Sequence, residues 1–550
     1  MTKKRILILG GGFGGVYVAV HLGRILSTDE LERTEIALVN RENYVVFQPL
    51  LPEVISGSVA LNHVIAPIRR MAPRASLYTR DIESIDPVAR TVTLSPGIRP
   101  TALVLDYDQL VIAMGTRLDH SKIAGMREHA SPFKYLRDAL YLRNQLVRML
   151  EEAEAESDPD SRRGLLTFVV AGGGFSGVEC IAEMNDFLRQ AVRAYHNVSE
   201  RDLRLILLQR GERILPEVTP SLAAFAHRLL VERGVEIRLG ASLHAVTANA
   251  VVVEVRTHRL ETIATRTAVA TVPAGPHPIL TQLAIPQEKG RIIVDQSTEV
   301  PDWSGVWAIG DCAAIKQVDG NISPPTAQHA LRQAKTCAQN IVASMRGTKK
   351  THFAFTGLGK LGSLGRRSAV AEILGLHFKG LFAWLLWRSV YVTKFPGLDG
   401  QLRLVADWIL DAFLPRDITQ LRLFQDEAVH REHFETGERV FSSGDFGDKV
   451  YFVVKGEAVV ERDGLRVATL GSGDVFGEAA LISNQPRNAT IRASTPVDTV
   501  AVSRQAFQQL RRHLPGLNET MQQLMCGRLK EGQDLNSMIA DAASQGDRGA

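Results

Sequence analysis

The stretch Arg5-Ile6-Leu7-Ile8-Leu9-Gly10-Gly11-Gly12-Phe13-Gly14-Gly15-Val16 decides how the first part of this chain folds. Four consecutive apolar residues before the glycines read as a strand buried on both faces, the habit of parallel sheets. The stretch Val16 to Leu26 that follows reads as a helix. Between a strand and a helix, G-x-G-x-x-G is a phosphate-cradling turn. Gly10 permits the tight turn, Gly12 lets a pyrophosphate approach the backbone, and Gly15 lets the helix pack on the strand, with its N-terminus aimed at the phosphates. Gly14 is counted among the residues lining that cradle.

The arrangement recurs. Leu166-Thr167-Phe168-Val169-Val170 precedes Gly172-Gly173-Gly174-Phe175-Ser176-Gly177, and a helical stretch Val178 to Phe187 follows, so Gly172, Gly174 and Gly177 repeat the three roles. One such turn is also a plain packing device, but two in the same context predict two dinucleotide sites. Each should end its second strand with a group facing the adenosine ribose, where a carboxylate would accept from the 2′-hydroxyl. Instead, Glu35 to Val39 ends at Asn40, with Glu42 two residues on, and Leu203 to Leu208 ends at Gln209 and Arg210. Asn40 can still hydrogen-bond a ribose. Gln209 and Arg210 remove the charge that would repel a 2′-phosphate and add an attractive one, which leaves NADH and NADPH both open; Arg210 pointing to solvent fits equally.

A net charge of +4 over 550 residues gives no electrostatic case for wrapping nucleic acid. Cys180, Cys312, Cys337 and Cys526 lie far apart without C-x-x-C, which argues against a disulfide framework, a structural zinc site or an iron–sulfur cluster; no metal is expected. Met1 to Arg5 leads at once into Ile6 to Leu9, with no signal-peptide pattern, and the strongest apolar run, Leu381 to Trp387, is stopped by Arg388. The expectation is a cytoplasmic protein, peripheral on the inner face of the cell membrane.

Five ordered motifs then carry a resemblance: Asn43-Tyr44-Val45-Val46-Phe47-Gln48-Pro49-Leu50-Leu51-Pro52-Glu53, Ala113-Met114-Gly115-Thr116, the second glycine turn with Val178-Glu179, Ile309-Gly310-Asp311-Cys312, and Pro324-Pro325-Thr326-Ala327-Gln328. Together they resemble the type II NADH:quinone oxidoreductases from the N-terminus to about Pro415. The resemblance implies an α/β flavoprotein of two Rossmann-type domains. The FAD domain (1–118 and 291–348) is split by insertion of the NAD(P)H domain (119–290), and a membrane-docking and quinone-site segment (349–418) follows. It implies hydride transfer from nicotinamide to the flavin N5, then two electrons to a membrane quinone, without proton pumping.

The same resemblance assigns roles. Ala113 and Gly115 join the FAD cradle, and Asp311 accepts from the ribityl chain, a role compatible with N-capping a helix that begins Cys312-Ala313-Ala314. Ala327 and Gln328, opening a helix to Met345, bring N–H groups to the flavin pyrimidine, and Gln48 lies at the ring's edge. Glu179 lies near the nicotinamide and on the proton path to quinone; the alternative is a helix-start carboxylate with no chemistry. Paired cysteines, which disulfide reductases and sulfide:quinone reductases of similar shape place beside the flavin, are missing. The segments Leu361 to Ala371 and Gly380 to Trp387 resemble the quinone-tunnel and docking segment. Leu402 to Phe413 forms a second amphipathic stretch, with Leu404, Trp408 and Phe413 expected toward lipid and Lys379, Arg388 and Lys394 toward anionic headgroups. Packing on the FAD domain, or a homodimer contact, is the alternative. Two departures bear on donor and acceptor: Arg332 replaces a glutamine at the quinone mouth, and Thr271 to Pro276 replaces the usual segment at the nicotinamide.

After Pro415 the pattern changes to short strands with glycine turns, which predicts a β-roll. Phe476-Gly477-Glu478-Ala479-Ala480-Leu481-Ile482 and Pro486-Arg487-Asn488-Ala489-Thr490 resemble the phosphate-binding cassette of cyclic-nucleotide-binding domains, placed over 419–538. The resemblance implies that Gly477 and the following helix offer N–H groups to a phosphate that Arg487 neutralises. Glu478 takes the ribose 2′-hydroxyl, and Asn488, Ala489 and Thr490 complete the site. Cyclic AMP is the expected effector, although Asn488 does not decide it against cyclic GMP; a ligand-free roll is the alternative. The helix expected over Arg504 to Leu535 meets only a polar tail (539–550), not a helix-turn-helix, so no nucleic-acid partner is expected. Two other functions stay open: a redox and cyclic-nucleotide sensor with little turnover, and a soluble flavin reductase.

Overall fold

The computed structural model describes residues 3–507 apart from 98–101, 257, 272–273, 318–319, 422–428, 446, 463, 484–485 and 505. Most of the expected helix to Leu535, the tail 539–550 and Cys526 lie outside the described residues. The chain divides into two compact units.

The first unit comprises Met1–Lys122, Ser131–Ser242 and Val269–Thr419. Its first sheet is fully parallel, in the order Val306–Ala308, Gln109–Ile112, Lys4–Leu9, Thr34–Asn40, Ala75–Thr79. Ile6 to Leu9 are all but inaccessible to solvent, which is why that strand reads as an unbroken apolar run. The glycine helix Phe13–Ile25 and the long helix Ala327–Arg346 pack on this sheet, with Val16, Leu22, Trp307, Ile341 and Val342 in one core. The expected strand Trp303 to Ile309 narrows to Val306–Ala308. The segment after Asp311 is a strand, Ala313–Ile315, and not a helix, because its backbone pairs in parallel with Ile292 to Val294; the helix-cap reading of Asp311 is therefore corrected.

The second sheet carries the second glycine turn. Thr167–Ala171, Arg204–Gln209 and Val235–Leu239 run parallel in adjacent positions. The glycine helix extends over Phe175–Ala191, and buried Val178, Ile181, Met184, Phe187 and Leu188 hold it in the largest core of the protein. An antiparallel sheet, Gly359–Ser363, Ala369–Ile373 and Leu376–Lys379, leads into the helices Gly380–Lys394 and Leu398–Phe413.

Leu404 and Trp408 are buried in that same core and only Phe413 of the three expected lipid contacts is exposed. The exposed large apolar side chains are Leu381, Phe382 and Leu385 on one helix and Leu398, Leu402, Val405, Ile409, Leu410 and Phe413 on the other. Arg388 also turns inward, its guanidinium lying over the rings of Trp384 (3.9 Å) and Trp408 (4.5 Å), not toward headgroups. Among the described residues no helix is long and apolar enough to cross a membrane.

The second unit gathers Ile123–Ala130, Leu243–Ala268 and the described residues from Gln420 onward. Its C-terminal part is the expected roll of two four-stranded antiparallel sheets. One has the order Val429–Phe434, Val497–Ser503, Lys449–Lys455, Val475–Phe476; the other Arg439–Phe441, Thr490–Ala493, Ala458–Arg462, Leu465–Leu470. Phe434, Tyr451, Phe476 and Ile491 fill the space between them, and Ala248, from the antiparallel ribbon Ala250–Val255 and Leu260–Ala264 with its flanks, packs against the same core.

Candidate active site

The two glycine turns are built alike. Gly10 (φ +107°) and Gly172 (φ +117°) hold backbone conformations that side chains resist, and each N–H donates to the end of the neighbouring strand, at Val39 O (2.9 Å) and Leu208 O (3.0 Å). A Cβ on Gly15 would stand 1.9 Å from Gly10 O, and one on Gly177 would stand 1.8 Å from Gly172 O, so helix and strand approach as closely as only glycine allows. Beside Gly12 there is open space, and neither Gly12 nor Gly174 caps its helix with a side chain. The first-turn N–H groups are thus left for an anionic ligand, and the residues at the first turn fit the pyrophosphate of a dinucleotide; at the second, Glu217 Oε1 stands 2.9 Å from where a Cβ on Gly174 would lie, so a pyrophosphate there needs that side chain to turn away.

The strand-end amides brace these turns. Gly11 N–H donates to Asn40 Oδ1 (2.9 Å), and Gly173 N–H donates to Gln209 Oε1 (3.0 Å). Asn40 Nδ2 donates to Glu42 O and Gln209 Nε2 to Arg213 O, so each side chain ties its glycine loop to the segment after its strand. Gln328 behaves similarly, its amide engaging Leu358 N–H (3.2 Å) and Gly359 O (3.0 Å). Gln48 and Arg210 are exposed, and Gly115 (φ +64°) keeps open space beside it at the mouth of the first sheet. Arg332 stacks on Phe355, 4.0 Å from the ring centre, and Val272 and Pro273 of the departing nicotinamide segment lie outside the described residues. Asp311 is pushed above the usual carboxylate range by burial, opposed by the charges of Lys134 and Arg291. Lys134, which the sequence does not mark, donates to Thr116 Oγ1 (2.8 Å) and keeps a cation by that carboxylate.

Glu179 is buried at the start of the second glycine helix, where its Oε1 accepts from Ser363 N–H (2.9 Å). Burial pushes its pKa up to about 8, with the charges of Glu183 and Glu53 adding to the shift and the Ser363 amide opposing it. Gly362 is what brings the strand so close: a Cβ there would lie 2.5 Å from the Phe175 ring. Edge-on aromatic contacts run from Phe13 to Phe47, from Phe47 to Tyr391 and from Tyr391 to Trp387, linking the first cradle to the helix Gly380–Lys394.

Glu53 closes the quoted motif Asn43 to Glu53. It is buried, accepts from Trp408 Nε1 (2.7 Å) and faces Arg388 (3.4 Å). Glu183 is also buried and faces Arg416 at 3.8 Å. Neither residue was picked out by sequence reasoning, although a Glu179/Glu183 pair spaced i, i+4 on an apolar helix was visible. Cys180, Cys312 and Cys337 are buried free thiols, and no disulfide or metal-binding group occurs among the described residues.

A model of the pyridine nucleotide-disulphide oxidoreductase family matches residues 4–334. The chain belongs to that family. Within the family it is a type II NADH:quinone oxidoreductase by its relatives: it is 30% identical over 411 residues to a demethylphylloquinone reductase of Synechocystis sp., across 74% of this chain and 96% of that one. It is 28% identical to a type II NADH:quinone oxidoreductase of Mycobacterium tuberculosis, across 79% and 93%. A model of the NDH2 C-terminal domain matches residues 358–417, the region that buries Glu179 and Glu53. The NDH2 of Plasmodium falciparum, solved in complex with NADH, shares the fold with a TM-score of 0.70 at 18% identity, over 76% of this chain and all of that one. A cyclic nucleotide-binding domain model matches residues 431–513, which sets this oxidoreductase apart as a two-part protein.

In that second part, Gly477 (φ +83°) turns the chain into the short helix Glu478–Ser483, with Glu478 buried. Arg487 is buried too, donating to Gly477 O (2.5 Å) and Lys449 O (2.8 Å) with its guanidinium over Phe441, while its Nε has no partner. Ala489 is buried and Thr490 accepts from Ser443 N–H (3.0 Å), while Asn488 is exposed.

Proposed function

We propose that the protein is a peripheral, FAD-dependent NAD(P)H:quinone oxidoreductase whose turnover responds to a cyclic nucleotide. Bound FAD supplies the redox chemistry, accepting hydride from the nicotinamide and returning two electrons to the quinone. The chain's own residues position and protonate. The cradle at Gly10 to Gly15 holds the FAD pyrophosphate and the cradle at Gly172 to Gly177 that of the NAD(P)H. The first turn of the helix Ala327–Arg346 offers N–H groups at the flavin pyrimidine, and Gln48 stands at the ring's edge. Glu179, protonated at neutral pH, presents an acidic proton to the quinone oxygen.

The observation that carries this reading is Glu179 itself. A carboxyl held neutral at the start of a phosphate-cradling helix, pinned by the backbone of the segment matched to the NDH2 C-terminal domain, suits proton delivery and costs stability if it is only structural. The apolar side chains exposed on the helices Gly380–Lys394 and Leu398–Phe413 support docking to a lipid surface that holds the quinone.

For the nucleotide, support lies in two strands of one sheet, Lys449–Lys455 and Val429–Phe434. Lys449, whose carbonyl accepts from Arg487, pairs with Glu432 (2.6 Å), and the next residue, His433, donates its N–H to His129 Nε2 (2.8 Å). A phosphate drawn to Arg487 therefore acts close to a contact with a segment from the 119–290 interval.

Anaerobic mixing tests the whole reading. NADH or NADPH should bleach the flavin, a quinone analogue should restore its colour, and cyclic AMP should change one of the two rates. Bleaching without recovery on quinone would overturn the acceptor, and no bleaching would overturn the second dinucleotide site.

A further inference from the structure

The glycine helix Phe175–Ala191 carries three acidic residues at i, i+4 and i+7: Glu179, Glu183 and Asp186. That spacing puts them in one stripe on a helix whose other inward positions, Asn185 apart, are apolar or glycine. Glu179 and Glu183 are buried; Asp186 is 16% exposed and opens on a cleft of about 500 Å³ lined by Asn185, Arg189, Arg233, Arg366 and Arg367. The stripe thus runs from buried Glu179 to the open cleft at Asp186.

Its middle is polar. Glu183 Oε2, Trp387 Nε1, Arg388 Nε and Arg416 Nη1 are all buried without a hydrogen-bond partner. Of these, Arg416 and Arg388 face Glu183; unpaired buried polar atoms cost about 1–3 kcal/mol each unless water meets them, and two to four partners are what a buried water needs. The groups facing Glu183 are Arg416 and Asp411, which pair at 3.1 Å, then Glu53 and the Ser56 hydroxyl, Arg388, and Glu179 and Asp186 of its own helix. Four carboxyls, Glu53, Glu179, Glu183 and Asp411, share two arginines, Arg388 and Arg416. So small a charge complement leaves protons resident in the cluster.

We propose that Glu183, backed by Glu53 and by water at these unpaired atoms, stores the proton that reloads Glu179, and that Asp186 in the arginine-lined cleft is its entry from solvent. The proposal rests on the reading of Glu179 as proton donor to the quinone. The stoichiometry demands an entry. NADH yields a hydride, that is two electrons and one proton, whereas a quinone becoming a quinol takes two electrons and two protons. One proton per turnover comes from solvent, and Glu183, 3% exposed, stands between Glu179 and Asp186 along the helix. Burial pushes the Glu183 carboxyl up, as the role requires, with Arg416 opposing and Glu53 and Asp186 adding.

The test compares Glu183→Gln, Asp186→Asn and Glu179→Gln in the full chain loaded with FAD, with flavin content reporting the fold. Expected for Glu183→Gln is loss of a carboxylic-acid carbonyl band that shifts in D2O, seen by infrared difference spectroscopy between acid and alkaline pH. Quinone-driven recovery should be about tenfold slower, with a larger solvent isotope effect. Asp186→Asn, at a site where substitution buries nothing new, should slow the same step most at alkaline pH. Survival of the band in Glu183→Gln, or recovery at the wild-type rate in both variants, would overturn the store. If Glu179→Gln alone leaves recovery unchanged, the reading of Glu179 fails; if Glu179→Gln slows recovery and the other two do not, only the store fails.

Discussion

At the scale of single residues, protonation decides the chemistry, and Glu179 makes the sharpest forecast. Its pKa, pushed up to about 8, means that the protonated form prevails at neutral pH. Quinone-driven reoxidation should fall as pH rises through about 8, and Glu179→Gln should abolish that limb and lower the rate by about 100-fold; a flat profile in the wild type would contradict it. Stability follows the same proton. A carboxyl whose folded pKa lies above its unfolded value binds more protons in the native state, so its contribution is full below the unfolded pKa and is lost as pH rises toward 8. Thermal melts should therefore show a Tm that declines between mildly acidic and alkaline pH, less so in Glu179→Gln. Trp408→Phe should cost about 1–3 kcal/mol in denaturant unfolding, because Glu53 then loses its 2.7 Å donor while staying buried. Sequence reasoning could find Glu179 because a glycine motif flags it. Glu53 and Glu183 carry no such flag, since burial depends on the segment around Trp408, more than 200 residues further on.

At the scale of elements, close approach between helix and strand is the governing constraint, and both cradles were legible for that reason. Gly177→Ala would bring a Cβ within 1.8 Å of Gly172 O and force the second helix off its strand. Flavin should remain bound, since Gly10 to Gly15 are untouched, but NADH-driven bleaching should be lost; retained bleaching would mean that the nicotinamide nucleotide binds elsewhere. The helix Leu398–Phe413 was less legible for a plain physical reason. It is apolar on two faces, with Leu404 and Trp408 on one and Leu402, Ile409 and Phe413 on another, and periodicity cannot say which face the protein buries. The structure buries the first and leaves the second exposed; under the proposed lipid docking, replacing Leu402, Ile409 and Phe413 with serine should reduce co-sedimentation with anionic liposomes while flavin content stays constant. Asp311 shows the converse: the sequence placed it by the first sheet, but the strand after it was misread as helix because Cys312-Ala313-Ala314 is compatible with either and only pairing with Arg291–Val294 decides.

At the scale of the whole molecule, the division of the chain into compact units was the least legible feature, because it joins segments some 300 residues apart. The roll was predictable from its strand spacing; that Ile123–Ala130 and Leu243–Ala268 would cluster with it was not. His129 is the joint. Burial lowers its pKa to about 4, so its ring is neutral and Nε2 accepts the His433 N–H, while the His433 ring holds Asp498 at 2.6 Å. If cyclic AMP at Arg487 biases the strand that carries His433, the effect must be reciprocal: NADH must change cyclic AMP affinity by the same factor that cyclic AMP changes NADH affinity. Titration calorimetry of each ligand, alone and with the other present, should give a matching factor of about fivefold or more. His129→Ala removes the acceptor without touching either cradle or the cassette, so it should leave both single-ligand affinities in place and reduce the factor to one. A coupling that survives this substitution would travel by another route, and identical affinities in the wild type would leave the module without influence on the donor's binding.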